Sequence, residues 1–412
     1  MRIALYGNIC NNFFAIARAV RSTSDIDAHL FIDEDADWTQ LPESEAPELR
    51  AGYPPWIHKG PYGSALSRLW PGASPLVREL AGFDVLLASA AGIRLAPFVP
   101  CPVIFYVTGW DLTVAPFPIR FHQRYQRPAE KAAALLGGIW QRRGISAATR
   151  IWSQPFAPFE HAAARLGIRR DRLEAKYFPL MVDTDLFRPV PNPPATDDPL
   201  IRRIVNNHDF VVFHPSRMML SQSRGFVETG TWKGNDRLFE GFAMFLREHP
   251  DVRPVLVLVE RAGSSDTPRA KELISRLGIA DHVLWLGGSR SRGFDRVDLV
   301  ALYAAADVVA DEFGVGWFGS VVIEATAMGK PVMCHVDQDV MKQLYPWHPI
   351  LSLRTPEQIA ASLTDLWRHP EQRKRLGDLG RRWALEFHSI DRACASYVQS
   401  IRELAETLGT GG

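Results

Sequence analysis

The chain has 412 residues, too many for one ordinary hydrophobic core, so two domains are expected. Its 47 Lys and Arg nearly cancel 46 Asp and Glu, and the net charge of +1 gives no field that would gather nucleic acid. Four scattered cysteines (Cys10, Cys101, Cys334, Cys394) have no paired spacing, which argues against a disulfide framework or a zinc site and fits a reducing cytoplasm.

Met1 to Gly7 runs straight into a strand without the pattern of a signal peptide, and no apolar run approaches a membrane span. A cytoplasmic location is the expectation. Short apolar runs then alternate with helical patterns, the rhythm of parallel α/β domains. The first half reads as strands over Arg2–Tyr6, Asp27–Ile32, Asp84–Ser89, Pro102–Val107 and Thr149–Ser153. A helix between the first two carries Phe13, Ile16, Ala17 and Val20 at helical spacing. In the loop before it, Gly7 allows close backbone approach and Asn8 is a candidate acceptor ligand. Asp33-Glu34-Asp35 reads as a solvated acidic turn and implies no metal.

Asp111 closes the fourth strand in Tyr106-Val107-Thr108-Gly109-Trp110-Asp111 and is expected at a ligand cleft. Two roles are open to it: acceptor-hydroxyl binding or general base on one hand, an Asx turn capping its own loop on the other. Arg120, Arg124 and Arg127 share a helical face beside Phe121 and Tyr125, followed by Trp140 and Arg142-Arg143. This basic aromatic segment, residues 117–143, reads either as peripheral contact with the inner face of an anionic membrane or as a solvated face over core aromatics.

Dense prolines from Pro179 to Pro194 stop both helix and sheet and mark a domain boundary. The strand pattern restarts over Asp209–His214, Pro254–Val259, His282–Leu286, Asp307–Ala310, Pro331–His335 and Pro349–Leu353. His214 and His335 read as strand-end residues. The tail, Asp391–Leu408, is one amphipathic helix with Cys394, Tyr397, Val398, Ile401 and Leu404 on one side. Two doubly wound α/β domains place a ligand cleft at the carboxyl ends of their strands. The domains are expected at residues 1–185 and 186–388, with residues 389–412 as a terminal helix.

Chemistry concentrates in the second half. Phe318-Gly319-Ser320 opens a short helix that stops at Gly329, with Ser320 as its expected N-cap. Free amides after Ser320 and the positive end of the helix dipole form a seat for phosphate. Glu324, just past the first turn, can accept two hydroxyls from a sugar or ribose. Phosphate and diol together suggest a nucleotide sugar. Arg217 stands past a strand's carboxyl end and Lys233 before a helix carrying Leu238, Phe242 and Phe245, so both are placed to stabilise a departing diphosphate.

The string Phe313-Gly314 … Gly319-Ser320-Val321-Val322-Ile323-Glu324-Ala325 … Met328-Gly329-Lys330-Pro331-Val332 resembles glycosyltransferase family 4, of the GT-B fold. Arg217 with Lys233-Gly234 is similar to that family's donor-phosphate clamp, and Val182 to Pro189 to its interdomain linker. The resemblance implies two Rossmann-like doubly wound domains facing across a cleft, with the C-terminal helix crossing back to the N-terminal domain. It also implies retention of configuration without metal or bound cofactor, and a UDP- or GDP-type donor as co-substrate. Glu324 would bind the donor ribose, and amides at Gly319, Ser320, Val321 and Val322 the diphosphate. The family's first glutamate is absent: eight positions before Glu324 stands Gly316, and the nearest acid is Glu312. The residues between Arg217 and Lys233, with Arg224, Thr229 and Thr231, read as a flap over bound donor.

The expectation is therefore transfer of a sugar from a nucleoside-diphosphate sugar to a hydroxyl acceptor: a lipid-linked intermediate, a polysaccharide or a small metabolite. Donor binding falls to Arg217, Lys233, Gly319, Ser320, Val321, Val322 and Glu324, acceptor binding to Gly7 and Asn8, and catalysis to Asp111 and Glu312. Glu324→Ala and Lys233→Ala are each expected to abolish turnover with the fold intact. Three readings compete. A nucleotide-sugar epimerase or hydrolase would consume donor without acceptor, and a binder would never consume it. An NAD-dependent oxidoreductase would need the Gly-x-Gly-x-x-Gly loop that Asn8 and Asn11-Asn12 interrupt.

Overall fold

The computed structural model describes residues 1–117, 128–154, 156–169, 172–174, 178–190, 199–220, 229–230, 232–260, 266–287, 294 and 296–409. The chain divides into two compact units, one of Met1–Pro179 with Asp391–Gly412, the other of Leu180–Ile390.

In the first unit, β1 (Arg2–Tyr6), β2 (Asp27–Asp33), β3 (Ile57–Gly60), β4 (Val85–Ala88), β5 (Val103–Tyr106), β6 (Arg150–Trp152) and β7 (Leu173–Glu174) form one sheet. Its order is β3-β2-β1-β4-β5-β6-β7, and every pair is parallel. The central strands are buried on both faces, which is why they are continuous apolar runs such as Val-Leu-Leu-Ala and Val-Ile-Phe-Tyr. Strand order reverses between β1 and β4, so their carboxyl ends diverge around a crevice floored by Gly7 and Ser89.

The C-terminal helix Ile390–Gly409 is part of this unit from Asp391 onward. Cys394, Tyr397, Ile401 and Leu404 are buried. Tyr397 packs against Trp152 and Phe178, and its hydroxyl donates to Pro179 O at 3.1 Å. The Thr23 hydroxyl donates to Cys394 Sγ, and Arg402 pairs with Asp25.

The second unit repeats the plan with β8 (Phe210–His214), β9 (Pro254–Val259), β10 (Val283–Leu286), β11 (Val308–Ala310), β12 (Val332–Cys334) and β13 (Leu351–Ser352). The order is β10-β9-β8-β11-β12-β13, again all parallel, with the reversal between β8 and β11. Its core packs one face of the sheet, through Phe210, Val212, Leu256, Leu258, Val308 and Ala310, together with Leu238, Phe239, Phe242 and Phe245 of the helix Asn235–Glu248. The linker is fastened within this unit: Arg381 donates to the carbonyls of Phe187, Thr184 and Ala327, and Val182 pairs with Ser389.

Candidate functional site

At the β8/β11 reversal of the second unit, the segments leaving the two strands meet. His214 ends β8 and is fully buried; its Nδ1–H donates to Ala310 O at 2.9 Å and its Nε2 accepts from the Asn235 amide at 2.8 Å. Burial holds this imidazole neutral by lowering its pKa. The Asn235 Oδ1 in turn accepts from Met219 N, which fixes the loop carrying Arg217. Arg217 itself is exposed.

Lys233 follows on this floor. Its carbonyl accepts from Phe313 N at 2.7 Å, and its ammonium lies 2.6 Å from Glu312 Oε2. The approach depends on Gly234, which has φ +68 and lies so close to the crossing chain that a Cβ would fall 2.8 Å from Gly314 N. Glu312 is buried, and the loss of water pushes its carboxyl up to about 7, with the Lys233 and Arg217 charges pulling down and Asp311 pushing up. Asp311 Oδ1 accepts from the Ser216 hydroxyl, whereas Asp311 Oδ2 has no hydrogen-bond partner among the described residues. A deeply buried pair of acids thus sits directly behind two cations.

The helix Ser320–Ala327 begins one residue earlier than expected: Gly319 is the N-cap, Ser320 is the first helical residue, and no side chain among the described residues caps the end. The physical reason is the extended Gly319 backbone, whose carbonyl takes the Val322 amide at 3.2 Å. Phe318 holds this turn by packing between Trp317 and Trp383.

Glu324 is buried, and both of its oxygens are engaged inside the unit. Oε1 pairs with Arg296, and Oε2 accepts from the Tyr303 hydroxyl at 2.9 Å. Truncation in Glu324→Ala would leave Arg296 and Tyr303 without this carboxylate, so a stability cost is expected beside the loss of turnover. Neither partner was picked out from the sequence. Gly316 has φ +83 and accepts from Asp337 N at 2.9 Å, so the position where the resembled family has a glutamate is a left-handed turn suited to glycine.

The first-unit candidates lie at the corresponding reversal. Gly7 O accepts from the Ser89 hydroxyl and from Ile9 N. Asn8 is buried: its amide donates to Asn11 Oδ1 and Gln40 O, both at 2.7 Å, and its Oδ1 accepts from Phe14 N at 3.0 Å. Asp111 is also buried, and its carboxylate accepts from Ala90 N, Thr108 N, Gly109 N and the Thr108 hydroxyl at 2.9–3.1 Å. Burial pushes its carboxyl up against those donors. Of the two roles open to Asp111, the loop-capping geometry is the one present. Asp33 accepts from the Tyr6 hydroxyl at 3.0 Å, and Asp35 pairs with Arg68.

Arg120, Phe121, Arg124, Tyr125 and Arg127 lie outside the described residues, as do Arg224 and Thr231 of the expected flap.

Two doubly wound parallel units of this strand order define the GT-B architecture of nucleotide-sugar transferases. Residues 227–383 match the family described as Glycosyl transferases group 1. A D-inositol 3-phosphate glycosyltransferase from Segniliparus rotundus is 31% identical over 184 residues, covering 41% of this chain and 38% of the relative. An MMP alpha-(1->4)-mannosyltransferase from Mycolicibacterium hassiacum is 31% identical over 170 residues, covering 40% and 39%. The match therefore spans about two fifths of the length of these curated relatives. Among solved structures, Anabaena Alr3699/HepE in complex with UDP and glucose superposes with TM-score 0.64 at 19% identity, covering 97% of this chain and 99% of that one. Sucrose-phosphate synthase from Thermosynechococcus elongatus gives TM-score 0.64 at 17% identity, covering 99% and 100%. These two likenesses establish the fold.

Proposed function

We propose that the protein transfers a sugar from a nucleoside-diphosphate sugar to a hydroxyl acceptor. In this reading the second unit takes the donor and the first unit the acceptor. The observation that carries it is Lys233, paired with Glu312 where β8 and β11 diverge, on the unit that also carries Arg217 and the helix Ser320–Ala327 and whose residues 227–383 match the group 1 glycosyltransferases. Lys233 and Arg217 would hold the diphosphate from one side, and the amides of Ser320, Val321 and Val322 from the other. Glu324, oriented by Arg296 and Tyr303, would take the ribose hydroxyls. UDP is the favoured carrier, supported by the UDP and UDP-glucose complexes of HepE.

The bond from the anomeric carbon to the diphosphate oxygen breaks, a bond from the acceptor oxygen forms, and the acceptor's proton passes to the departing phosphate. Retention of configuration and independence from metal belong to this proposal through the family resemblance. Lys233→Ala tests it: release of UDP from UDP-sugars in the presence of acceptors should fall by at least about a hundredfold, since removing one preorganised donor from a developing negative charge costs ~2.7–4 kcal/mol. Release without any acceptor would favour the hydrolase or epimerase reading instead.

Contact with an anionic membrane is a second component. Among the described residues, Leu66, Leu69, Trp70, Leu135 and Ile139 are exposed large apolar side chains of the first unit, and Arg143 lies 5.1 Å over the Trp140 ring. Flotation with phosphatidylserine vesicles should carry the wild type and leave a Leu66→Ser/Trp70→Ser variant behind.

A further inference from the structure

We propose that Glu312 is a built-in stand-in for the donor's diphosphate, which holds Lys233 while the site is empty and takes up a proton when the diphosphate claims that cation. This rests on the reading that Lys233 binds the diphosphate.

The geometry leaves little choice. Lys233 and Glu312 are fixed to one another through their backbones, by the Phe313 N to Lys233 O bond and by the tight passage of Gly234 across Gly314. Their side chains meet at 2.6 Å, with Glu312 largely shielded and Lys233 a fifth exposed on its open side. A diphosphate bound on that open side would bring its charge to within a few ångströms of the Glu312 carboxylate. Asp311 stands behind, with Oδ2 buried and unpartnered among the described residues. Three anionic groups would then share Lys233 and Arg217.

Among the described residues, the other groups around Glu312 offer no compensating positive charge. Cys334 Sγ donates to Glu312 O at 3.3 Å and His335 N to the same carbonyl at 2.8 Å, both to backbone. His214, one layer below, is held neutral by burial, and the Arg237 guanidinium is spent on Phe313 O at 2.7 Å. The least costly relief is a proton on Glu312, whose carboxyl already titrates near 7. Once neutral, Glu312 changes from acceptor to O–H donor, able to bond a phosphate or sugar oxygen. The acid that competes with the ligand thus becomes part of its seat.

The test is calorimetry of UDP binding to the full chain between pH 7.5 and 9, above the range where UDP itself titrates, in two buffers of different ionisation enthalpy. The wild type should take up close to one proton per UDP, with affinity falling up to about tenfold per pH unit. Glu312→Gln should take up none, show a flat profile and bind at least tenfold tighter than the wild type at pH 9. Zero uptake by the wild type, which needs no variant, overturns the proposal. So does an unchanged slope in Glu312→Gln, or weaker binding by it at pH 9. Lys233→Ala separates this failure from the other: if that variant binds UDP as the wild type does, the diphosphate is not at Lys233 and both readings fall.

Discussion

The Tyr303 hydroxyl donates to Glu324 Oε2 at 2.9 Å, from a ring that is fully buried between Phe187 and Phe213. The carboxylate that a donor's ribose would meet is thus aimed by a tyrosine at the far end of the helix Arg296–Ala305. Tyr303→Phe removes one charge-assisted bond without a cavity and should cost about 1.5–3 kcal/mol of stability. The donor KM should rise several-fold through the loosened Glu324. Thermal unfolding and steady-state kinetics check the two effects, and an unchanged KM would show that Arg296 alone sets the carboxylate.

Gly234→Ala should damage the site more than its size suggests. The added methyl would meet backbone at 2.8 Å on a residue with φ +68, so the Glu312–Gly314 strand-end must move. A loss of about 2–3 kcal/mol is expected, with the Lys233–Glu312 pair pulled apart. A variant with wild-type melting temperature and UDP affinity would refute the close-packing argument.

Much of this was legible in the sequence, for a physical reason. Strands β1 and β9 are continuous apolar runs buried on both faces, and their expected limits, Arg2–Tyr6 and Pro254–Val259, agree with the structure to the residue. β3 was not foreseen, because Ile57-His58-Lys59-Gly60 is an edge strand with polar residues facing out, and β7 has only two residues. In the site, Lys233 and the Ser320 helix stood out as separate features. Their relation to Glu312, 79 residues from Lys233, did not, since it depends on a backbone crossing that no local pattern encodes. Arg296 and Tyr303 were hidden for the same reason: they lie 28 and 21 residues from Glu324 and meet it only in the fold.

Asp111 lends itself to a sharp separation of roles. In Asp111→Asn an amide would face some of the four N–H and O–H donors that the carboxylate now satisfies. A destabilisation of about 1–3 kcal/mol is expected in chemical denaturation. Retained stability with abolished transfer would instead make Asp111 a reacting group.

His388 sets an acid limit on the second unit. It is fully buried, its Nδ1–H donates to Leu180 O at 2.7 Å, its Nε2 lies 3.1 Å from the Tyr345 hydroxyl, and burial lowers its pKa to about 4. The unfolded chain binds this proton near 6.5, so the contribution is fully present above that pH and is lost as pH falls toward 4. The slope is at most about 1.4 kcal/mol per pH unit. Melting temperatures between pH 7 and 4 should fall more steeply for the wild type than for His388→Gln, and parallel curves would remove His388 from the account.

The most direct measurement is a crystal structure with UDP bound. The account predicts the diphosphate within hydrogen-bond distance of Lys233 Nζ, the Arg217 guanidinium and the amides of Val321 and Val322. A nucleotide seated in the first unit against Gly7 and Ser89, with Lys233 still paired to Glu312, would contradict it.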